Sequence, residues 1–283
     1  MGINIAIYKG PKSVWKRLIL RRAMVVLEAR KKVTLGHKAL MMRRFENAEV
    51  SRLAGELERL PQAKVATVIA TYRRPELLYR AVRSALAQSV RDHVVLVVDD
   101  AGGLLALPED PRLFSVSLAS NTATAGVVRN VGIRLSRSKY VAFLDDDNEW
   151  EANHLEAALG AFEDPPAGQQ PGVIYTAVKR VFPDGSLMDV LSTPFDRKLL
   201  RRFNYVDTSC LVVRRCDGLH FSRLYRARAM YPQEDWELVY RLSRRMRVTH
   251  VPVQSVRYLV NPDSYWSAWE LDGAYPVPEL PGQ

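Results

Sequence analysis

The chain contains 283 residues, 47% of them hydrophobic, which is enough for one large α/β domain with an appendage or for two small domains. This hydrophobic content excludes bulk disorder, and no apolar run approaches the roughly 18–20 residues that span a bilayer. The two cysteines, Cys210 and Cys216, are too few for a disulfide scaffold or a four-cysteine metal site, so we expect a reducing, cytoplasmic setting.

Residues 12–60 have the composition of helices, because glycine is rare and proline is absent. Apolar side chains recur there at helical spacing, at Val50, Leu53, Leu57 and Leu60. Gly36 is expected to separate two helices, and Pro61 ends the pattern. The sequence therefore predicts a helical N-terminal extension over residues 1–62, followed by the main domain.

The net charge of +10 is concentrated in the first 60 residues, which contain 14 Lys/Arg and 5 Asp/Glu. Residues 9–44 interleave basic and apolar side chains, a pattern that suits peripheral contact with an anionic membrane surface. The apolar positions spread widely around the helix, so packing on the main domain or homodimerisation through residues 1–60 explains them equally well. Nucleic acid is not an expected partner, because the remainder of the chain is nearly neutral and contains no reader motif.

From residue 65 onward, short apolar runs alternate with helical patterns. Strands are predicted at residues 65–70, 94–98, 113–117 and 140–144, and helices at 75–88, 125–136 and 151–162. This βαβ alternation predicts an α/β fold with a mostly parallel central sheet, whose ligands gather at the carboxyl ends of the strands. Polar residues do follow those strands, at Thr71, Asp100 and the run Asp145-Asp146-Asp147.

The order of elements is looser after Pro171. Strands are predicted at residues 173–181, within 205–213 and at 248–251, a hairpin turn at Pro183-Asp184-Gly185, and a helix at 234–246. This second half is expected to supply the acceptor side of a cleft, with the first half, residues 63–165, on the other side.

Three consecutive carboxylates at the end of a buried strand, Asp145 to Asp147, are electrostatically costly unless a positive group lies near them. Mg²⁺ and Mn²⁺ prefer oxygen ligands and often bind through one or two carboxylates together with substrate phosphates. Asp147 can pair with either Asp145 or Asp146 as a ligand. A solvated acidic turn that caps the next helix is the alternative interpretation.

Five motifs in order resemble those of family 2 glycosyltransferases. They are VIATYRRP at 68–75, VVDDAG at 97–102, NTATAGVVRNVG at 121–132, YVAFLDDD at 140–147 and EDWEL at 234–238. The resemblance extends from residue 65 to about residue 260 and does not include the first 60 residues. It implies a GT-A fold, a nucleotide-binding sandwich over 63–165 and an acceptor-binding half over 166–283.

The resemblance also implies roles for individual residues at the donor site. Thr71 and Asp100 match positions that contact the nucleotide base and ribose, and Arg129 matches a basic position that faces the nucleotide. Asp145 matches the aspartate that faces the ribose or donor sugar, and Asp147 matches the ligand of a Mn²⁺ or Mg²⁺ ion. The remaining residues expected to bind the nucleotide sugar are Tyr72, Arg74 and Asp146.

In the later acidic motif, Asp235 matches the catalytic base of inverting members, and Glu234 is the competing carboxylate. A base on the acceptor side takes the proton from the attacking hydroxyl. Trp236 can line an acceptor pocket or belong to the core. His250 corresponds to a region where some GT-A enzymes have an additional metal ligand, although a lone histidine is more often structural.

The resemblance and these residues together imply an inverting, metal-dependent transfer of a sugar from a nucleotide sugar, by the family's default a UDP-sugar, to an acceptor hydroxyl. The acceptor is expected to be a glycan, a lipid-linked intermediate or a small molecule. A non-catalytic protein that binds nucleotide sugar or carbohydrate is the alternative. A nucleotidyltransferase is less favoured, because the loop after the first strand lacks the glycine-rich sequence of that class.

Overall fold

Nine strands form one sheet in the computed structural model, which describes residues 36–57, 61–104, 107–165, 168–223 and 234–260. The predicted helix that precedes Gly36, the basic residues 9–35, and Leu60 lie outside the described residues. The described residues include no helix that is long and apolar enough to cross a membrane.

The first half of the chain builds the parallel part of the sheet. Its elements are helix α1 (residues 36–56), β1 (Val65–Thr71), α2 (Pro75–Leu86), β2 (His93–Asp99), β3 (Leu113–Ser117), α3 (Ala125–Leu135) and β4 (Tyr140–Asp145). The strand order is β3-β2-β1-β4, and all three pairings are parallel. The predicted βαβ alternation is therefore confirmed, and the ends of the four strands and of α2 and α3 are predicted correctly to within two residues, whereas the helix predicted at 151–162 begins three residues later, at His154.

The second half extends the same sheet beyond β4. Its elements are β5 (Asn148–Trp150), α4 (His154–Glu163), β6 (Pro171–Val181), β7 (Leu187–Leu191), α5 (Arg197–Leu200), a 3₁₀ turn (Thr208–Cys210), β8 (Leu211–Arg214), α6 (Glu234–Leu242) and β9 (Arg247–Leu259). The order continues β4-β8-β6-β9-β5, and β7 forms the predicted hairpin with β6. β8 is antiparallel to both of its neighbours, whereas β6 and β9 are parallel.

Strand β9 is three times as long as the predicted strand at 248–251, and the reason is a bulge. Pro252 indicates a strand end, since proline cannot donate a ladder hydrogen bond. In the structure the pairing with β6 skips residues 252 and 253, because Thr176 pairs with Val251 and Ala177 pairs with Gln254. The proline lies in this irregularity, so the strand continues to Leu259.

Two apolar cores cover the two faces of the sheet, and β2 contributes to both. Val95 and Val97 face the larger core, which contains the buried sides of α2 and α4, whereas Leu96 and Val98 face the smaller one. This alternation is that of a strand buried on both faces.

The smaller core contains α3 and α1. Leu53 of α1 is buried there, and Val50 and Leu57 pack around it. The predicted helical spacing of these residues is confirmed, and the described part of the extension packs on the sheet.

Close packing of α3 against the sheet depends on Gly132. A Cβ atom at this position would lie 2.5 Å from Cγ1 of Val68 and 3.2 Å from Cγ2 of Val98, both of which are buried on β1 and β2. Glycine at position 132 therefore allows α3 to pack close to the face of the sheet formed by β1 and β2.

Gly132→Ala is expected to lower the free energy of unfolding by about 1–3 kcal/mol, because the added methyl group overpacks the helix against the sheet. Gly160→Ala is the matched control, since the same substitution in α4 meets nothing within 4 Å and should stabilise by up to about 1 kcal/mol. Urea unfolding measures both values. Equal stability of the two variants would contradict the packing argument.

Candidate functional site

The carboxyl ends of β1, β2 and β4 meet at one edge of the sheet and bring the predicted donor-site residues together. The backbone N–H of Asp100 donates to the carbonyl of Thr71 at 2.9 Å. The Thr71 hydroxyl donates to Oδ2 of Asp146 at 2.7 Å. Parallel pairing produces this convergence, because it aligns the strand ends in register.

The three consecutive aspartates alternate in direction. The side chain of Asp146 is 9% exposed and is held by Thr71 and by Nη1 of Arg74 at 3.2 Å. The side chains of Asp145 and Asp147 are 25% and 30% exposed. The accessible carboxylates of the run are therefore those at positions 145 and 147, and the middle aspartate is directed into the protein.

Two arginines neutralise part of this negative charge. Nη1 of Arg74 also donates to Oδ2 of Asp147, at 3.0 Å. The side chain of Arg129 is 7% exposed, and its two terminal nitrogens pair with Asp145 and, at 2.7 Å, with Oε1 of Glu234. Arg129 thereby joins the end of β4 to the start of α6.

The turn that follows β4 is anchored by Ser209, which the sequence analysis did not single out. Its hydroxyl oxygen accepts from the backbone N–H of Asp145 at 3.2 Å and from Nδ2 of Asn148 at 2.9 Å. Its carbonyl accepts from the indole N–H of Trp150 at 2.7 Å. Ser209 is fully buried, and a serine ahead of a short strand carries no local signal of this long-range role.

Asp207 is a second residue that the sequence analysis missed. Its carboxylate accepts from the backbone N–H of Ser209 at 2.8 Å, so locally it resembles a turn cap. Burial raises its pKa to about 8, and the negative charges of Asp145 and Asp235 add to the effect. The structure thus places an additional carboxylate between β4 and α6.

Burial and crowding also affect the aspartate run itself. Burial raises the pKa of Asp147 to about 6, with further increases from Asp145 and Asp146, while Arg74 opposes them. Burial likewise raises the pKa of Asp146, although Thr71 and Arg74 stabilise its charged form. The arginine and hydroxyl groups near these carboxylates therefore only partly offset the cost of their negative charge.

Asp235 lies in the first turn of α6. Its Oδ1 accepts from Nδ2 of Asn204 at 3.3 Å and from the backbone N–H of Trp236 at 2.6 Å. Trp236 is buried, and its indole N–H donates to the carbonyl of Leu200. Trp236 therefore belongs to the core, whereas Asp235 and Glu234 lie at the end of the helix that Arg129 joins to β4.

Asp100 stabilises a loop of its own chain. It accepts from the backbone N–H groups of Thr122 and Ala123, at 2.8 and 3.1 Å, and from Nδ2 of Asn121 at 3.1 Å. Burial raises its pKa despite these donors. Tyr72, which directly follows β1, is 41% exposed, and the guanidinium of Arg73 lies 5.1 Å from the centroid of its ring.

His250 lies apart from these residues. It pairs with Tyr175 across β6 and β9, its ring is 4.9 Å from that of Tyr175, and its Nε2 is 3.3 Å from the hydroxyl of Ser192. In the described parts of the chain, no group of three or more His, Cys, Asp or Glu side chains could hold a metal ion. The structure therefore does not join His250 with Asp145 and Asp147 in a three-ligand site.

Comparisons with known proteins identify relatives of this chain. The succinoglycan biosynthesis protein ExoO of Rhizobium meliloti (strain 1021) is 35% identical over 100 residues, which cover 34% of this chain and 28% of that protein. The first three curated relatives are each matched over 28–36% of their own length. This chain therefore aligns with only about a third of each.

Two solved structures share the fold. The TarS fragment of S. aureus in complex with UDP-GlcNAc has a TM-score of 0.55 at 16% identity, and the match covers 72% of this chain and 61% of that one. The mannosyltransferase PcManGT from Pyrobaculum calidifontis, in complex with GDP-Man and Mn²⁺, has a TM-score of 0.51 at 14% identity over 89% and 72% of the two chains. Both support the GT-A architecture.

The family match covers most of the site. Residues 67–217 match the family described as Glycosyl transferase family 2, a segment that begins within β1, contains the aspartate run and ends just after β8. Together with the shared fold and the order of the five motifs, this match establishes that the chain belongs to glycosyl transferase family 2.

Proposed function

We propose that this protein is an inverting, metal-dependent glycosyltransferase that moves a sugar from a nucleotide sugar to an acceptor hydroxyl. The observation that supports it most is the bridge made by Arg129. By pairing with Asp145 and Glu234 at once, this arginine holds the accessible carboxylates of β4 beside the helix that carries Asp235. A donor site and a candidate base then lie on neighbouring elements.

Asp145 and Asp147 would hold the divalent cation, Mn²⁺ or Mg²⁺. The residues fit such an ion, because two accessible oxygen ligands with crowded negative charge suit a hard cation that takes its other ligands from phosphates and water. When bound, the cation stabilises the negative charge that grows on the departing diphosphate. Asp146 would act indirectly, since Thr71 and Arg74 hold it inside.

The nucleotide would lie along the carboxyl ends of β1 and β2. The exposed ring of Tyr72 offers a face for the base, and the loop fixed by Asp100 borders the same edge. The hydroxyl of Thr71 already donates to Asp146, so Thr71 would contribute to nucleotide binding by holding Asp146 in place rather than by contacting the nucleotide through this group.

Arg129 and Arg74 are suited to the diphosphate. The Arg74 side chain is 50% exposed and can reach a ligand, whereas Arg129 is 7% exposed and lies behind Asp145 and Glu234, with which it pairs. Arginine binds phosphate well because its donors have a fixed geometry. UDP is the first donor nucleotide to test, because TarS is similar in fold and was solved with UDP-GlcNAc.

Asp235 would accept the proton from the acceptor hydroxyl as that oxygen attacks the anomeric carbon. One displacement at that carbon inverts its configuration. Glu234 would instead position Arg129, with which it already pairs. The acceptor class that the relatives favour is a growing glycan, since ExoO is named for succinoglycan biosynthesis.

Nucleotide binding is expected to depend on the cation and on Asp147. A thermal-shift screen of UDP, GDP and dTDP with and without Mn²⁺ should show one nucleotide that raises the Tm only with the metal. At a nucleotide concentration a hundredfold above the Kd, the gain in the free energy of unfolding is about 2.7 kcal/mol. Asp147→Asn should remove this gain, whereas Glu149→Gln should keep it, because Glu149 pairs instead with Arg80 of α2. No response to any nucleotide would argue against a donor site.

Asp235→Asn is expected to keep nucleotide binding and to lower donor turnover by about 10²-fold or more, because the acceptor or water then lacks its general base. Glu237→Gln is the matched control, since this carboxylate on the same helix pairs with Arg241. Release of the nucleoside diphosphate from the sugar donor measures both variants. Unchanged turnover in Asp235→Asn would remove this residue as the base.

Asp207→Asn is expected to raise the Tm of the metal-free protein by about 3 °C or more at pH 8. The folded-state pKa of Asp207 is raised from 3.8 to about 8, so the stability of the folded protein falls as the pH rises through this range. Asparagine keeps an acceptor for Ser209 without the charge. The Tm of the wild type should fall more steeply between about pH 5 and pH 8 than that of the variant, and parallel curves would contradict the assignment.

A further inference from the structure

Helix α1 lies outside the segment matched to the family and carries a buried carboxylate. Glu46 is 0% exposed. Its Oε1 accepts from Nδ2 of Asn130 at 2.8 Å, and its Oε2 accepts from Nε of Arg223 at 2.9 Å and pairs with Nη2 at 2.8 Å. The extension therefore contacts α3 and the segment 221–223 through one side chain.

The segment 221–223 is held closely against α3. Asn130 accepts from the backbone N–H of Phe221 at 2.7 Å and donates to its carbonyl at 3.1 Å. A Cβ atom at Gly126 would lie 2.3 Å from the carbonyl oxygen of Ser222, so the backbones are in direct contact. The backbone of Phe221 thus depends on Asn130, which in turn donates to Glu46.

The ring of Phe221 connects this segment to the donor site. It meets Phe143 of β4 edge to face, with centroids 4.8 Å apart. The guanidinium of Arg129 lies 5.2 Å from the same ring centroid. Arg129 pairs with both Asp145 and Glu234, so a shift of the Phe221 ring would move the guanidinium that joins β4 to α6.

We propose that Glu46 is a positioning residue for catalysis. It acts through Asn130 and Arg223 on the segment 221–223, and from the ring of Phe221 through Arg129, to keep α6 in place beside the end of β4. The proposal rests on the proposed function, because its consequence is the placement of Asp235 against the donor. It makes the extension part of the catalytic unit. Glu46 itself touches neither donor nor acceptor.

The contacts favour this role over simple support of the fold. The carboxylate of Glu46 neutralises Arg223, whose side chain is 18% exposed and which lies in the segment that follows β8 in the chain. If Glu46 loses its negative charge, the guanidinium of Arg223 lies beside a neutral side chain, and the segment 221–223 loses its ionic link to α1. The apolar contacts of α1 through Leu53 remain.

Glu46→Gln is the test. The kcat for release of the nucleoside diphosphate from the donor is expected to fall about tenfold or more, because small displacements of a catalytic group are costly. The Kd of the nucleotide with Mn²⁺, measured by calorimetry, should rise by a smaller factor than kcat falls, because Asp147 follows β4, Tyr72 follows β1, and Arg129 is only one of the groups proposed to bind the diphosphate. A kcat within about twofold of the wild type would overturn the proposal.

Two controls on α1 separate positioning from stability. Leu53→Val weakens the smaller core and should lower the Tm without lowering kcat. Asn47→Ala removes an exposed contact with Arg134 on α3 and should leave kcat unchanged. A loss of kcat in Leu53→Val that matches Glu46→Gln at equal loss of Tm would overturn the proposal.

A double-mutant cycle with Arg223→Gln tests the route. If both residues act through the same contact, the double variant should lose no more activity than the worse single variant. Additive losses would overturn the route through Arg223.

Hydrogen exchange gives a readout that does not need activity. In Glu46→Gln, exchange should increase in peptides covering residues 218–223 and 234–242 and stay unchanged in β1. Unchanged exchange in those peptides would overturn the proposal. An inactive wild type that binds no nucleotide would instead overturn the proposed function, and the exchange data would still decide whether Glu46 holds these segments.

Discussion

The buried guanidinium of Arg129 is the interaction on which the site depends. It pairs with Asp145 at the end of β4 and with Glu234 at the start of α6, and so links a strand of the sheet to a helix that is distant in sequence. Removing one partner of such a buried pair typically costs 3–5 kcal/mol, because the remaining charge is left uncompensated. The guanidinium of Arg129 therefore also holds the end of β4, where we propose the donor site, beside the helix that carries Asp235, the proposed base.

The negative charge at this edge exceeds what the two arginines neutralise. Asp147 and Asp207 both have raised pKa values, which shows that their charged forms are unfavourable in the protein alone. A fold selected for stability alone would replace such groups with neutral ones. A divalent cation would balance these carboxylates better, and Arg74, whose side chain is 50% exposed, would then be available to the phosphates of a nucleotide sugar.

Local patterns predicted the parallel half well, because each strand there is a short apolar run that ends at a polar residue, as with Thr71 and Asp145. They failed where long-range pairing decides the structure. Strand β9 continues past Pro252 only because β6 tolerates a bulge there. Ser209 belongs to the site through hydrogen bonds with residues distant in sequence, and Asp207 through the nearby charges of Asp145 and Asp235. Nothing in their local sequence distinguishes them from an ordinary turn.

The boundary between extension and main domain follows from composition, but the contacts cross it. Charge and helical spacing separate residues 1–62 from the rest, and the family match begins only at residue 67. Leu53 is nevertheless buried in the smaller core, and Glu46 lies within hydrogen-bonding distance of Asn130 and Arg223. Since a buried carboxylate is stable only with its partners in place, α1 and the segment 221–223 must be positioned together, and α1 is better regarded as one layer of the domain than as an appendage to it.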